Sequence, residues 1–377
     1  MTIAPFGFAT AGAIRFGRGT LAEAAPFALA RARRILAVRS ASVAAADDLV
    51  QTLRRRGADV VEIIARGEPD LATIQADCET ARPFAPHLVI AIGGGAVIDH
   101  GKALAALVPA PHGPLRYLEV VGDGKPLDAA PLPVVAIPTT AGTGAEVTRN
   151  AVLQVPEAAR KVSLRDPRLC PALAIVDPEL ARSCPRHVVL ASGLDAVTQV
   201  IEPFVGRRAT PLTDALCRDA IPRGLAALKR LIEAADDAAW DDMALTSLAG
   251  GIALANAGLG AVHGLAGVIG GRTGAAHGAI CGMLLVPVLK ANRAAAPAHS
   301  DARARLDWVA ECIGARFGDP DGLVHWARDH GLGRLVDLGI APADHPRLAA
   351  DARGSSSFAG NPVPLGDAAL DGILAQA

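Results

Sequence analysis

The chain has 377 residues, enough for two domains and too many for one small core. It is 51% hydrophobic, which excludes a disordered chain. A net charge of −1 with only 3% aromatics argues against nucleic acid, which calls for clustered Lys and Arg and often stacking rings. The short basic run Arg54-Arg55-Arg56 lies on a predicted helix and reads as a solvated face.

Six cysteines, Cys78, Cys170, Cys184, Cys217, Cys281 and Cys312, are scattered without a CxxC pair. A chain of this size needs no disulfide staples, so a reduced, cytoplasmic setting is expected. Cys281 lies four residues after His277 and would line the same pocket; the plainer reading is a small buried hydrophobe. The N-terminal Met-Thr-Ile-Ala-Pro-Phe-Gly has no basic segment followed by an apolar run, so no export signal is expected. Leu245 to Gly271 is nearly all apolar. It is rich in Ala and Gly, contains Asn256 and His263, and has no basic flank. It reads as a helix buried on all sides within a bundle, and no membrane partner is expected.

The first half alternates strand and helix signals. Strands are predicted at Ile35–Val38, Asp59–Ile64, Leu88–Ile92, Val134–Ile137 and Leu173–Val176. Helices are predicted up to Arg56, over Leu71–Arg82 and over Val97–Leu107, and Pro109 to Pro133 is a Pro- and Gly-rich connection. Fully apolar strands separated by helices specify a parallel sheet covered on both faces. From about Pro185 the strand signals stop. Long Ala- and Leu-rich stretches follow at Val188–Val205, Leu212–Ala234, Ala239–Leu259 and Ala279–Ala291. The expected organisation is an α/β nucleotide-binding domain over residues 1–184 and an all-α domain over residues 185–377.

Two glycine loops leave strands of the first domain. Gly93-Gly94-Gly95-Ala96-Val97-Ile98-Asp99 opens a helix, whose free N–H groups and positive end suit a phosphate. It lacks the G-x-G-x-x-G spacing and follows the third strand candidate, so alone it is equally a tight turn. Ile137-Pro138-Thr139-Thr140-Ala141-Gly142-Thr143-Gly144 adds three hydroxyl donors, Thr139, Thr140 and Thr143. Two such loops on one sheet suit a dinucleotide's pyrophosphate and sugars. At the end of the first predicted strand, Arg39 and Ser40 stand where dinucleotide folds commonly place an acid for the ribose 2′-OH. That substitution favours NADPH, or acceptance of both cofactors, against the alternative of an ordinary surface arginine.

Four residues of the second half carry the chemistry. Asp195 and Gln199 are four apart on a predicted helix and share a face. His263 follows a buried-looking run, and His277 is flanked by Gly274 and Gly278. A carboxylate, two imidazoles and an amide oxygen form a candidate set of divalent-metal ligands, in which the amide is the weak member. The other eight histidines have no comparable setting.

At these residues the chain resembles the iron-containing, or group III, alcohol dehydrogenases. Gly93-Gly94-Gly95-Ala96-Val97-Ile98-Asp99 is similar to the family's GGGSxxD loop. The run from Pro138 to Thr148 is similar to its PTTAGTGSEVT segment. Asn256 to His263, His277-Gly278 and Asn292 resemble its C-terminal ligand region. The resemblance implies the dehydroquinate synthase-like architecture, with the active site in an interdomain cleft, and a homodimer or larger oligomer. It places Asp195, His263 and His277 on three of the family's four metal ligands, and Gln199 on the fourth, where the family usually has histidine. Gly267 stands where the family tends to carry a further histidine. Asp99, Thr139, Thr140, Thr143, Thr148 and Lys161 fall at positions that resemble cofactor contacts, beside Gly94, Gly95 and Ala96.

The expectation is therefore an NAD(P)-dependent dehydrogenase acting on a small alcohol and its aldehyde or ketone, with Asp195, His263 and His277 as catalytic candidates. Two imidazoles and a carboxylate remain a recognised minimal set for Fe²⁺, with Mn²⁺ or Zn²⁺ as alternatives, and the Gln199 amide should weaken the site. Three other readings stay open. One is a metal-independent reductase of the maleylacetate type, which would need a cation near the pocket, such as Arg272. Another is a lyase or cyclase that uses NAD transiently. The third is a decayed nucleotide-binding protein.

Overall fold

The computed structural model describes residues 3–158 and 160–377, which fall into two compact units. The sheet unit holds Thr10–Thr140 and Gly144–Ser183. The helical unit holds Cys184–Ala377, Ala141–Thr143 and a stretch ending at Ala9.

The sheet unit runs β1 (Ile14–Phe16), α1 (Ala24–Leu29), β2 (Arg34–Ser40), α2 (Ala44–Arg55), β3 (Asp59–Ala65), α3 (Leu71–Ala81), β4 (Leu88–Gly93), α4 (Gly95–Leu107), β5 (Val134–Pro138), β6 (Asn150–Val155), β7 (Arg160–Arg165) and β8 (Leu173–Val176). Six strands form a parallel sheet in the order β1-β8-β5-β4-β2-β3. The five predicted strands are all present. The period-2 pattern is hidden in them because both faces are buried. Ile35, Ile90, Ile92, Val135 and Ile137 pack with Ala24, Ala28, Leu49 and Leu53 from α1 and α2. Leu36, Val38, Val89 and Ala91 pack on the other face with Ile74, Ile98 and Leu104 from α3 and α4.

Three strands went unpredicted. β1 is a three-residue edge strand with two exposed side chains. β6 and β7 form an antiparallel hairpin outside the main sheet.

The topology explains why the glycine loop follows the third predicted strand. The chain passes from β2 out to β3 and then returns to the opposite side of β2 as β4. The strand order therefore switches between β2 and β4, and open α/β sheets bind ligands at the carboxyl ends of such a pair. Arg39 lies in register with Ile92 there, so Arg39, Ser40 and Gly93–Gly95 stand at the same sheet edge.

The helical unit comprises α5 (Arg186–Val205), α6 (Pro211–Ala234), α7 (Ala239–Ala257), α8 (Ala261–Thr273), α9 (His277–Ala295), α10 (Asp301–Phe317), α11 (Gly322–Asp329), α12 (His345–Arg353) and α13 (Asp367–Gln376). α5 is the central rod, packed against α6, α7 and α9. Among the described residues, two helices, Arg186–Val205 and His277–Ala295, are long and apolar enough to cross a membrane. In the fold, 83% and 61% of their apolar windows are buried against other elements.

The apolar run Leu245–Gly271 is not one helix. α7 ends at Gly258, whose φ of 75° is strained for any other residue, and α8 leaves at 100° to it. The bend gives α8 a free N-terminus inside the unit, and the candidate site is built around that end.

Candidate metal and cofactor sites

α5 supplies Asp195, Gln199 and Glu202, at spacings of four and three on one helical face, all buried. α8 supplies His263 in its first turn, and α9 supplies His277 and Cys281, again four apart. Gly278 allows α9 to approach: a Cβ there would lie 2.2 Å from the Ala191 carbonyl oxygen and 3.0 Å from the Asp195 Cβ. Glycine is therefore the only residue that seats His277 beside Asp195 without moving α5.

His263 Nε2 lies 3.3 Å from Asp195 Oδ1, and His277 Nε2 lies 4.0 Å from the same oxygen. The imidazole centroids are 5.3 Å apart. Cys281 Sγ is 3.7 Å from His277 Nε2. Ligand atoms of Asp195, His263, His277 and Cys281 all lie within 4.8 Å of one another. His277 is the open corner, with 31% of its side chain exposed against 3% for Asp195 and 5% for His263.

One residue that sequence reasoning passed over fixes this arrangement. Glu202 accepts from the His263 ring at Nδ1, at 2.6 Å, and from the backbone N–H groups of Val262 at 2.7 Å and His263 at 3.4 Å. It thus caps the N-terminus of α8 and holds the Nδ1 proton of its first-turn histidine. Asn361 adds an acceptor for the Ala261 N–H and is held by paired amide contacts with Asn292. That contact accounts for Asn292. The one signal for Glu202 was its place seven residues after Asp195 on the same face.

With Nδ1 held by Glu202, His263 faces Asp195 through Nε2. Three buried polar atoms, Asp195 Oδ1, Gln199 Oε1 and His263 Nε2, have no hydrogen-bond partner. Such a cluster is costly to bury unless a cation sits among the atoms. Burial raises the Asp195 carboxyl, but the two imidazoles and the Gln199 amide bring it below the usual aspartate value. Burial lowers both imidazoles, and the Cys281 sulfur and Asp195, joined at His263 by Glu202, more than reverse it. The donor set fits a divalent metal held by Asp195, His263 and His277.

Other predicted residues have definite placements. The Thr139 N–H donates to the Gly93 carbonyl, and Thr140 packs beside Gly94, so the two glycine loops touch. Gly95 and Ala96 open α4, and Thr143 sits half-buried in its loop. The Arg39 guanidinium is already held by Glu62 at 2.6 Å and Asp47 at 2.8 Å, and the Ser40 hydroxyl meets Ser42. Thr148 is buried and accepts from Lys102, which also lies 3.5 Å from Asp99. Lys161 pairs with Glu68. Arg272, the proposed cation for an anionic substrate, is tied to Asp344.

Comparison with known proteins places these features in context. Residues 11–178 match the family described as "Iron-containing alcohol dehydrogenase", and residues 189–377 match "Fe-containing alcohol dehydrogenase family, C-terminal". The chain is 30% identical to "Alcohol dehydrogenase 4" of Saccharomyces cerevisiae over 96% of each chain. It is 34% identical to "Lactaldehyde reductase" of Escherichia coli over 73% of this chain and 72% of that one. The structure of sulfoacetaldehyde reductase from Bifidobacterium kashiwanohense in complex with NAD⁺ superposes with a TM-score of 0.84. It covers 99% of this chain and 98% of that one at 27% identity.

Proposed function

Since the chain belongs to the iron-containing alcohol dehydrogenase family and is an alcohol dehydrogenase, we propose that it interconverts a small alcohol and its aldehyde or ketone by reversible hydride transfer with a nicotinamide cofactor, assisted by a divalent metal. The observation that carries this reading is the trio of buried, unpartnered polar atoms at Asp195, Gln199 and His263. Asp195, His263 and His277 would hold the metal, which when bound supplies Lewis-acid polarisation of the carbonyl oxygen. Glu202 holds the Nδ1 side of the His263 ring, so Nε2 is the nitrogen that would face the metal. His277, on the open side, is the group best placed to meet substrate.

For the cofactor we assign Gly94, Gly95, Ala96, Thr139, Thr140 and Thr143 to the phosphates, at the switch between β2 and β4, with Arg39 and Ser40 at the adenosine ribose. The NAD⁺ complex of the 27% identical reductase supports a nicotinamide cofactor. Asp99 and Thr148 shape this site by fixing Lys102, and Lys161 by holding Glu68. The name of the Escherichia coli relative supports a short hydroxyaldehyde among the substrates. We further propose a cytoplasmic enzyme that works as a homodimer or larger assembly, testable by light scattering on the purified protein.

The test of function is a reductase screen over short aldehydes, hydroxyaldehydes and keto acids. Each is run with NADH and with NADPH, on metal-free protein and after reconstitution with Fe²⁺, Mn²⁺ or Zn²⁺. Turnover of a small aldehyde or ketone that needs added metal is expected. Equal turnover by metal-free and reconstituted protein overturns metal assistance.

A further inference from the structure

The sequence reading treats Cys281 as a core hydrophobe, but its surroundings are those of a ligand. Its side chain is fully buried, on the face of α9 that carries His277, and its sulfur lies within the same 4.8 Å cluster as the Asp195 and His263 ligand atoms. Tetrahedral ligands ~2.0–2.3 Å from a zinc ion stand ~3.3–3.8 Å apart. The separations here are 3.3 Å for His263 to Asp195, 3.7 Å for Cys281 to His277 and 4.0 Å for His277 to Asp195. These three contacts link all four groups in a chain at nearly that spacing.

Gln199 is the weak member of the set, its Oε1 buried without a hydrogen-bond partner. As a ligand it would offer only a neutral, weak oxygen.

We infer that the Cys281 thiolate is the fourth protein ligand of the metal, in the coordination place that imidazole would otherwise fill from position 199. The inference rests on the metal reading above and deepens it. Binding forms a sulfur–metal bond and releases one thiol proton to solvent, with no change of oxidation state. The thiolate would add a second anionic donor directly on the metal, beside the Asp195 carboxylate. A sulfur ligand also moves the preference from Fe²⁺ toward Zn²⁺.

The test uses full-length protein stripped by chelation and reloaded with Co²⁺ or Zn²⁺. The Co²⁺ form of the wild type should show a near-ultraviolet thiolate-to-metal charge-transfer band. Cys281→Ser should abolish it, and Gln199→Ala should keep it. X-ray absorption on the Zn²⁺ form should show one sulfur at ~2.3 Å and otherwise only nitrogen and oxygen at ~2.0–2.2 Å. Zn²⁺ affinity should fall by ~10–100-fold or more in Cys281→Ser. Circular dichroism and melting of the metal-free variants check the fold, and absorption on the wild type alone decides the question if Cys281→Ser does not fold. One bound equivalent with a shell of nitrogen and oxygen only overturns the cysteine assignment and leaves the metal site standing. Failure of the wild type to bind any equivalent overturns both.

Discussion

Glu202 and His263 meet through a 2.6 Å contact between a carboxylate oxygen and Nδ1, each side chain about 5% exposed. The same carboxylate caps the helix that carries the histidine. A single residue thus couples the local stability of α8 to the tautomer of a metal-ligand candidate. Glu202→Gln keeps the size but removes the charge and one acceptor. Metal affinity should fall by ~10–100-fold, the usual cost of disturbing a partner behind a ligand. Metal-free Glu202→Gln should also melt earlier, since buried charge-assisted hydrogen bonds are worth ~1.5–3 kcal/mol. Chelator competition and melting of the stripped protein measure the two effects separately. Unchanged metal affinity would refute the coupling.

Gln199→His restores a third imidazole on the Asp195 face of α5. With Cys281 in the fourth place, Fe²⁺ retention through dialysis should change little, whereas a place left open to position 199 would raise it by about an order of magnitude or more, because imidazole is a far better donor than a neutral amide. Elemental analysis after dialysis under nitrogen reads this directly. A gain of that size would mean that Cys281 does not hold the fourth place.

Two glycines near the site should behave oppositely. A Cβ at Gly278 collides with the α5 backbone at 2.2 Å, so Gly278→Ala should cost ~1–3 kcal/mol and lower metal affinity. A Cβ at Gly267 meets nothing within 4 Å. Inside α8, Gly267→Ala should therefore be neutral or stabilising by ~0.5–1 kcal/mol. Thermal unfolding of the two variants in parallel tests the contrast.

How much of this was legible beforehand follows from where each residue sits. Strands such as Leu88–Gly93 announce themselves because both faces are apolar, which leaves no polar alternation to mislead. β1 is too short and too exposed to produce a signal, and the β6–β7 hairpin alternates buried and part-exposed residues directly after the second glycine loop, with no long apolar run to mark it. Asp195, His263 and His277 were found because their residue types are rare in apolar helices, and the fold gathers them. Glu202 was missed because a glutamate near a helix end normally faces water. Its role depends on the 100° bend that brings another helix's N-terminus to it, and the bend lies in a run that reads as continuous. Cys281 was noticed by spacing, but spacing cannot tell a ligand from a core residue. Arg39 reads as an available cation because its pairing with Glu62 on β3 and Asp47 on α2 is set by how those elements fold onto β2, which the sequence does not display.

The neutralisation of Arg39 bears on cofactor choice. A guanidinium held by two carboxylates offers little net attraction to a 2′-phosphate, and the carboxylates oppose it. Wild-type discrimination between NADH and NADPH should be small. Asp47→Asn releases one of the two anions and should lower KM for NADPH relative to NADH. Initial rates with both cofactors check it, and a ratio that does not move would remove Arg39 from the adenosine end of the site.

Stability should depend on pH through the buried network behind the second glycine loop. Burial pushes the Glu146 carboxyl up to about 7 and the Asp99 carboxyl up to about 6. A raised folded-state value means the neutral acid favours folding. The Glu146 contribution is complete below its unfolded value of 4.5 and is lost as pH rises through about 7. The shift is worth about 3 kcal/mol at the fully ionised end. Asp99 acts in the same direction between 3.8 and about 6. Lys102, with its ammonium depressed by burial, ties the two together by donating to the Ala145 carbonyl beside Glu146 and approaching Asp99. Glu146→Gln is neutral at every pH, so it should be less pH-sensitive than the wild type between pH 4.5 and 7. Above that window it should be the more stable of the two. Denaturant unfolding of both proteins on either side of the window decides the matter, and parallel pH profiles would show that Glu146 is ionised in the fold throughout.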